Sequence, residues 1–174
     1  LTYGIYSSAD LKIVAEGNNT VGPITAPLER YTSYGIGEGE TISFNSDDYS
    51  TLTIKGVNTG IDLARYLFIN GNLNMTDVAG GVSGGNTMGR VALESGKINI
   101  DCTGTAFNLI GGELAFDGAK VKINCNSGIR FVRTGNLWIN AGRLNIFAET
   151  SGIQIKSGDG FQMDNGIVLV DANY

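Results

Sequence analysis

Short apolar pairs, in which one residue separates two apolar ones, recur through the sequence at a nearly constant interval. From Leu67 onward, the first member of one series advances by 24, 23, 23 and 24 residues. Apolar alternation with a period of two, in pieces this short, is typical of β-strands. The chain therefore repeats a unit of short strands, and no stretch carries a helical apolar pattern. The two clearest series are Leu11/Ile13, Ile42/Phe44, Leu67/Ile69, Val91/Leu93, Leu114/Phe116, Leu137/Ile139 and Phe161/Met163, and Leu52/Ile54, Leu73/Met75, Ile98/Ile100, Val121/Ile123, Leu144/Ile146 and Val168/Val170.

A third series completes the repeating unit. Its first large apolar residues lie 46, 22 and 24 residues apart, the first interval being two periods. Three short strands per unit of about 23 residues predict an all-β fold, a single-stranded parallel β-helix of about seven coils stacked about 4.8 Å apart. A β-sandwich is the competing fold, but its strands rarely recur at a fixed interval. The third series is Gly60-Ile61-Asp62-Leu63, Ala106-Phe107-Asn108-Leu109, Gly128-Ile129-Arg130-Phe131 and Gly152-Ile153-Gln154-Ile155.

The 174 residues fit one β-helix domain, spanning 1–174. Two stretches break the period and are predicted to be insertions, residues 14–34 and the glycine-rich residues 77–89. Insertions in solenoids form corner loops, either binding loops or passive surface loops. The sequence begins inside a coil motif and stops just after a strand. We therefore expect a fragment of a longer protein with its export signal outside this segment, and its uncapped coils favour end-to-end self-association.

Charge and composition exclude several functions. The net charge is −5 and the 12 Lys and Arg are scattered along the sequence, which argues against nucleic-acid binding. The absence of histidine excludes Ser-His-Asp and Cys-His nucleophiles and His-based metal sites. No apolar run is long enough for membrane insertion. We expect no cofactor, with an oxygen-bound structural calcium ion as the one exception left open.

The first coil resembles a known repeat. Tyr3-Gly4-Ile5-Tyr6-Ser7-Ser8-Ala9-Asp10-Leu11-Lys12-Ile13 is similar to the Y-G-I-Y-x-x-G-D-L-x-I repeats of cell-surface β-helix proteins of gut clostridia and related bacteria. Glu16-Gly17-Asn18-Asn19-Thr20-Val21 resembles their companion stretch E-G-x-N-T-V, and the later coils resemble clostridial carbohydrate-binding β-helix proteins, one branch of which binds polygalacturonate. The resemblance implies an extracellular protein, secreted or attached to the cell wall. The partner that it implies is a plant polysaccharide or a cell-surface glycan.

Outward-facing side chains are the candidate binding residues. Trp138 lies between two inward residues and should point to solvent, where an indole can stack on the apolar face of a sugar. Phe68, Ala92 and Ala115 should continue its column, unless residues 14–34 or 77–89 fold over it. The predicted carbohydrate-binding residues are Trp138, Phe68, Asn108, Arg130 and Gln154. A structural stalk of a surface adhesin, binding no ligand, is the alternative function.

An enzyme is the less favoured function. Polysaccharide lyases on this scaffold use a basic side chain with carboxylate-bound calcium, and Arg130, Arg133 and Arg143 lie near one another in the predicted coils. The acidic pair near them is Asp159 and Asp164, and no cluster of three carboxylates accompanies the arginines. We therefore predict a non-catalytic protein with no catalytic residues and no metal site.

Two further columns have structural interpretations. Cys102 and Cys125 lie one coil apart, so they should stack inside the core, as reduced thiols by preference or as a disulfide in an oxidising compartment. Asn74, Asn99 and Asn145 recur on the third strand, interrupted by Lys122. Stacked amides can hydrogen-bond along the axis of the solenoid, and such a ladder is the preferred interpretation over recognition of sugar hydroxyls.

Overall fold

The computed structural model describes residues 2–24, 32–37, 39–85, 88–156 and 160–172. These residues form a parallel β-solenoid of about six turns and contain no helix. Each strand pairs in parallel with the strand one coil away, which excludes the sandwich. The strands are β1 (Thr2–Tyr6), β2 (Leu11–Ala15), β3 (Asn18–Val21), β4 (Ser33–Gly37), β5 (Thr41–Ser46), β6 (Thr51–Leu63), β7 (Tyr66–Asn70), β8 (Asn72–Gly84), β9 (Arg90–Ser95), β10 (Lys97–Leu109), β11 (Gly112–Phe131), β12 (Gly135–Ile155), β13 (Phe161–Met163) and β14 (Ile167–Ala172).

The strand register confirms the predicted repeat. Residues that occupy the same position on successive coils form a column, and the column that begins at Leu11 and ends at Phe161 has seven members. Seven members are separated by six turns, which reconciles the predicted seven coils with the observed winding. Its complete membership is Leu11, Ile42, Leu67, Val91, Leu114, Leu137 and Phe161.

Three faces surround the core, and several strands continue from one face to the next. The first face contains residues 105–109 and 127–131, the second contains 112–117 and 135–139, and the third contains 97–102 and 120–125, with their register partners. Irregularities in register mark the corners, as between Cys102 and Thr105. The predicted separate short strands are therefore partly merged, because a bulge turns the corner without ending the parallel pairing.

The core consists of stacked aliphatic and aromatic side chains from all three faces. Ile54, Leu67, Met75 and Phe116 are completely buried, and the rings of Phe107 and Phe116 meet edge to face with centroids 6.5 Å apart. Each fully buried side chain of this kind contributes about 1.5–3 kcal/mol to folding. Burial decreases in the outermost coils, where the inward-facing Phe161 is 48% exposed.

Glycine at one corner permits close stacking of the coils. A Cβ atom at Gly35 would lie 2.6 Å from the carbonyl oxygen of Gly60, and one at Gly60 would lie 2.9 Å from that of Gly81. Both distances are shorter than carbon and oxygen atoms tolerate. The recurring glycines thus have a packing function in addition to making turns.

Both segments predicted to be insertions contain regular paired strands among their described residues. Residues 18–21 form β3, which pairs with β6, and residues 78–84 continue β8, which pairs with β6 and β10. The small residues of 79–81 mask the apolar alternation in the sequence, although their backbone pairs normally. Pro27 and Tyr31 lie outside the described residues, as do residues 86–87.

Cys102 and Cys125 form a disulfide, so the preference for reduced thiols is wrong. The two residues are register partners on adjacent coils, and their Cα atoms are 4.7 Å apart. That separation lies within the range that disulfides adopt. Both side chains are buried, as predicted. The bridge covalently joins two neighbouring coils.

Candidate functional site

Trp138 occupies the predicted outward position on the second face. Its neighbours in sequence, Leu137 and Ile139, are completely buried, whereas Trp138 is partly exposed. Phe68, Ala92, Ala115 and Trp138 occupy successive positions of one column. The indole is therefore held on a rigid sheet, with a small alanine on the preceding coil.

A charged network covers the two alanines of this column. Ala92 is 1% exposed and Ala115 is completely buried, although both point away from the core. Arg90 reaches across the sheet: its Nε lies 3.1 Å from Glu113 Oε1 and its Nη2 lies 3.2 Å from Asp117 Oδ2. Glu113 and Asp117 flank Ala115 on its own strand, so the guanidinium spans that alanine. The alanines are therefore covered by side chains of adjacent coils. The sequence alone leaves open a long loop as the cover.

Polar atoms with unused hydrogen-bonding capacity lie in this network. Asn140 donates a hydrogen bond of 2.6 Å to Asp117 Oδ1. Arg90 Nε and Glu113 Oε1 are close enough to form an ion pair, yet their geometry does not satisfy a hydrogen bond, and both atoms are buried. We call Trp138, Arg90, Glu113, Asp117 and Asn140 the tryptophan patch. It places donors, acceptors and an aromatic plane on one face.

Phe68 belongs to a different cluster. Three coils separate it from Trp138, a distance of about 14 Å at the usual strand spacing. Its ring stacks beside Tyr66, with centroids 6.4 Å apart, and the Arg65 guanidinium lies 4.8 Å from the centre of the Tyr66 ring. Arg65 also forms an ion pair of 2.9 Å with Glu40. Phe68 and Trp138 therefore share a column without forming one contact surface.

Asn108, Arg130 and Gln154 lie together on the first face. They occupy successive positions of one column, and Arg130 and Gln154 border an open cleft of about 410 Å³ that also includes Lys156. The Oδ1 atom of Asn108 is buried without a hydrogen-bond partner. The five predicted residues are thus divided among separate places: Trp138, the Phe68 cluster, and the Asn108 column on another face.

The three arginines considered for lyase chemistry do not converge on one surface. Arg130 lies on the first face, Arg133 lies in the bend after it, and Arg143 lies on the third face, in register with Lys120. Asp164 accepts a hydrogen bond of 2.9 Å from Gln162, and Asp159 lies outside the described residues. Within the described part of the chain, no group of three acidic or cysteine side chains is placed to hold a metal ion.

Four cations that are scattered in the sequence lie together on the third face. Lys97, Lys120 and Arg143 occupy successive positions of one column, and Lys122 lies beside them on the strand of Lys120. We call these four residues the basic stripe. Together with Asn99 and Asn145 they border an open cleft of about 290 Å³. The interpretation of the cations as scattered is wrong here, because each coil brings a cation to the same position.

The predicted asparagine ladder exists for one pair. Asn99 donates a hydrogen bond of 2.8 Å to Asn74 Oδ1 on the adjacent coil. Asn145 instead accepts a hydrogen bond of 3.0 Å from Arg143 Nε on its own strand. Lys122 occupies the intervening coil and interrupts the ladder, as the sequence indicates. Along this column, Asn74 and Asn99 therefore pair with each other, whereas Asn145 orients a cation.

Comparison with protein-family models, curated proteins and solved structures finds no match to this chain. In the ranges that the structure describes, no helix could cross a membrane.

Proposed function

We propose that the protein is a non-catalytic module that binds a cell-wall or plant polysaccharide through the tryptophan patch, outside the cell. The observation that carries this proposal is the outward Trp138 beside the network of Arg90, Glu113, Asp117 and Asn140. A pyranose ring has apolar C–H faces, which stack on indole, and equatorial hydroxyls, which donate hydrogen bonds to carboxylates and accept them from amide and guanidinium N–H groups.

Rigidity supports the same function. The patch lies on paired strands, so its side chains need little ordering when a ligand binds, and less conformational entropy is lost. The disulfide between Cys102 and Cys125 supports an extracellular location, because such bonds persist in oxidising compartments. The continuous core and this covalent link between coils also suit the alternative function, a stalk that presents neighbouring domains without binding a ligand.

The experiment is affinity electrophoresis through gels containing plant or cell-wall polysaccharides, comparing the wild type with Trp138→Ala. Loss of one stacking platform should weaken retention about tenfold, which corresponds to about 1.4 kcal/mol. Tyr49→Ala is the matched control, because Tyr49 is 90% exposed and lies in a turn away from the patch. Trp138 is the single tryptophan of the chain, so its fluorescence reports directly on occupancy.

Two results would contradict the proposal. Equal retention of the wild type and Trp138→Ala would exclude the tryptophan patch as the binding site. If no polysaccharide in the panel retards the wild type or changes its fluorescence, the binding function itself is wrong and the stalk is favoured.

A further inference from the structure

The basic stripe concentrates positive charge on a protein that is acidic as a whole. Lys97, Lys120 and Arg143 are direct register partners, so their Cα atoms follow the spacing of the coils, about 4.8 Å. Lys122 adds a fourth cation two residues from Lys120. These four are a third of the 12 Lys and Arg in the chain, whose net charge is −5.

The cations of the stripe have no acidic partners in the described structure. The ion pairs among the described residues are made by Arg65 and Arg90. Like charges directly opposite each other on adjacent strands destabilise a sheet. An anion bound along the stripe would remove this repulsion, so the arrangement favours a ligand that carries several negative charges.

Two members of the stripe are oriented by neutral neighbours. Asn145 accepts the hydrogen bond from Arg143 Nε at 3.0 Å, which leaves the terminal nitrogens of the guanidinium to face a ligand. The Lys122 ammonium lies 5.7 Å from the centre of the Phe147 ring, a cation–π contact. The side chains of Arg143 and Lys122 are therefore partly ordered before a ligand binds.

Acidic residues limit the width of the surface available to an anion. Asp101 and Glu149 border a separate cleft of about 320 Å³ at the far edge of the third face, and Asp171 continues that edge on the last coil. A wide polyanion such as duplex DNA would approach these carboxylates. A single extended chain that follows the axis of the solenoid would meet the cations without meeting the acidic edge.

We propose that the basic stripe binds a sulfated polysaccharide along the axis of the solenoid. A sugar unit and one coil have similar lengths, so sulfate groups on consecutive sugars can each meet one cation. Sulfation can place more than one charge on a sugar, which suits a stripe with two cations, Lys120 and Lys122, on one coil. Asn99 and Asn145 supply amides for the hydroxyl groups. This site lies on a different face from the tryptophan patch and goes beyond the proposed function.

The experiment measures binding of a heparin oligosaccharide, a desulfated heparin oligosaccharide of the same length, and an oligothymidylate of matched charge by calorimetry. The variant Lys97→Gln/Lys120→Gln/Lys122→Gln removes three charges and leaves neutral polar side chains in their place. The matched control, Lys12→Gln/Arg133→Gln/Lys156→Gln, makes the same change in net charge with exposed residues outside the stripe. Circular dichroism establishes that both variants are folded.

The expected results separate this site from the tryptophan patch. The wild type, the control and Trp138→Ala should bind the sulfated oligosaccharide equally, and the stripe variant should bind at least about tenfold more weakly, a change of ~1.4 kcal/mol. Raising the salt concentration should weaken the wild type more than the stripe variant. The proposal is overturned if the wild type does not bind the sulfated oligosaccharide, if desulfation leaves affinity unchanged, if the control loses as much affinity, or if the oligothymidylate binds more tightly.

Discussion

Lys120 is the middle cation of the basic stripe, and its replacement by glutamine should stabilise the folded protein. Lys97 and Arg143 are its register partners on either side, and Lys122 is two residues away on the same face. Glutamine removes the charge and keeps part of the aliphatic stem that covers the sheet. The backbone hydrogen bond from Lys120 N to Gly96 O, 2.9 Å long, does not depend on the side chain.

The expected magnitude follows from the spacing of the coils. Two unit charges ~5 Å apart in water repel each other by ~0.8 kcal/mol, and Lys120 has two such neighbours. Side-chain freedom and salt reduce this repulsion, and like-charged pairs across strands cost about 0.2–1 kcal/mol each. We expect Lys120→Gln to stabilise the protein by about 0.5–1 kcal/mol at low salt, raising its Tm by about 1–4 °C. Lys97 and Arg143 remain ~10 Å apart in both proteins, so their own repulsion cancels in the comparison.

The assay is thermal unfolding followed by circular dichroism and by Trp138 fluorescence, at low and at high salt. The difference between the wild type and Lys120→Gln should shrink as salt is added, and Lys120→Glu should be more stable than Lys120→Gln at low salt. Lys12→Gln is the matched control, because the register partner of Lys12 is the neutral Ser43. A Lys120→Gln protein less stable than the wild type at low salt, or a difference independent of salt, would refute the electrostatic reasoning.

Two other predictions concern the covalent link and an acid-sensitive turn. Cys102→Ala/Cys125→Ala should lower the free energy of unfolding by about 2–4 kcal/mol, because the disulfide closes a loop of one coil; identical urea midpoints for the wild type and the variant would contradict this. Hydrogen bonds from the Ser50 side chain and, to a smaller extent, from the backbone N–H groups of Tyr49 and Ser50 lower the pKa of Asp47. Its stabilising effect should therefore be present above the ordinary pKa of about 3.9 and be lost as the pH falls through the lowered value, so Asp47→Asn should lose less stability on acidification than the wild type, as measured by urea unfolding at several pH values.

The fold could be predicted because inward positions must be apolar, and apolar residues are recognised directly in the sequence. A residue such as Leu114 or Ile123 must be apolar, and its counterparts recur at the length of one coil. The bounds of the insertions could not be predicted in the same way. Residues 79–81 are small, and small residues fit a crowded corner as well as an exposed loop. The distinction depends on close approach of the backbones, which apolar periodicity does not express.

The candidate site was predictable only in part, because outward positions depend on contacts across coils. The outward direction of Trp138 follows from its two neighbours and is confirmed. The side chains around Trp138 cannot be predicted from its neighbours in the sequence. Arg90, Glu113 and Asp117 are separated by up to 27 residues, and the pairing of adjacent coils brings them together. Whether Cys102 and Cys125 form a disulfide depends on the distance between the coils. Their spacing in the sequence is compatible with both a pair of thiols and a bridge.

The basic stripe had a signal in the sequence, and the period reveals it. Lys97, Lys120 and Arg143 each precede the first inward residue of a third-face strand, at intervals of 23 and 23 residues. In a solenoid, residues one period apart lie side by side on adjacent coils. One cation per coil therefore forms a continuous line of positive charge. The same rule aligns the alanines beneath Arg90 and the asparagines beside Lys122. Since inward columns are constrained by packing, chemistry that distinguishes one solenoid from another must reside in its outward columns. Net charge is a sum over all of those columns, so a chain with a negative net charge can still present a positively charged column that binds an anion.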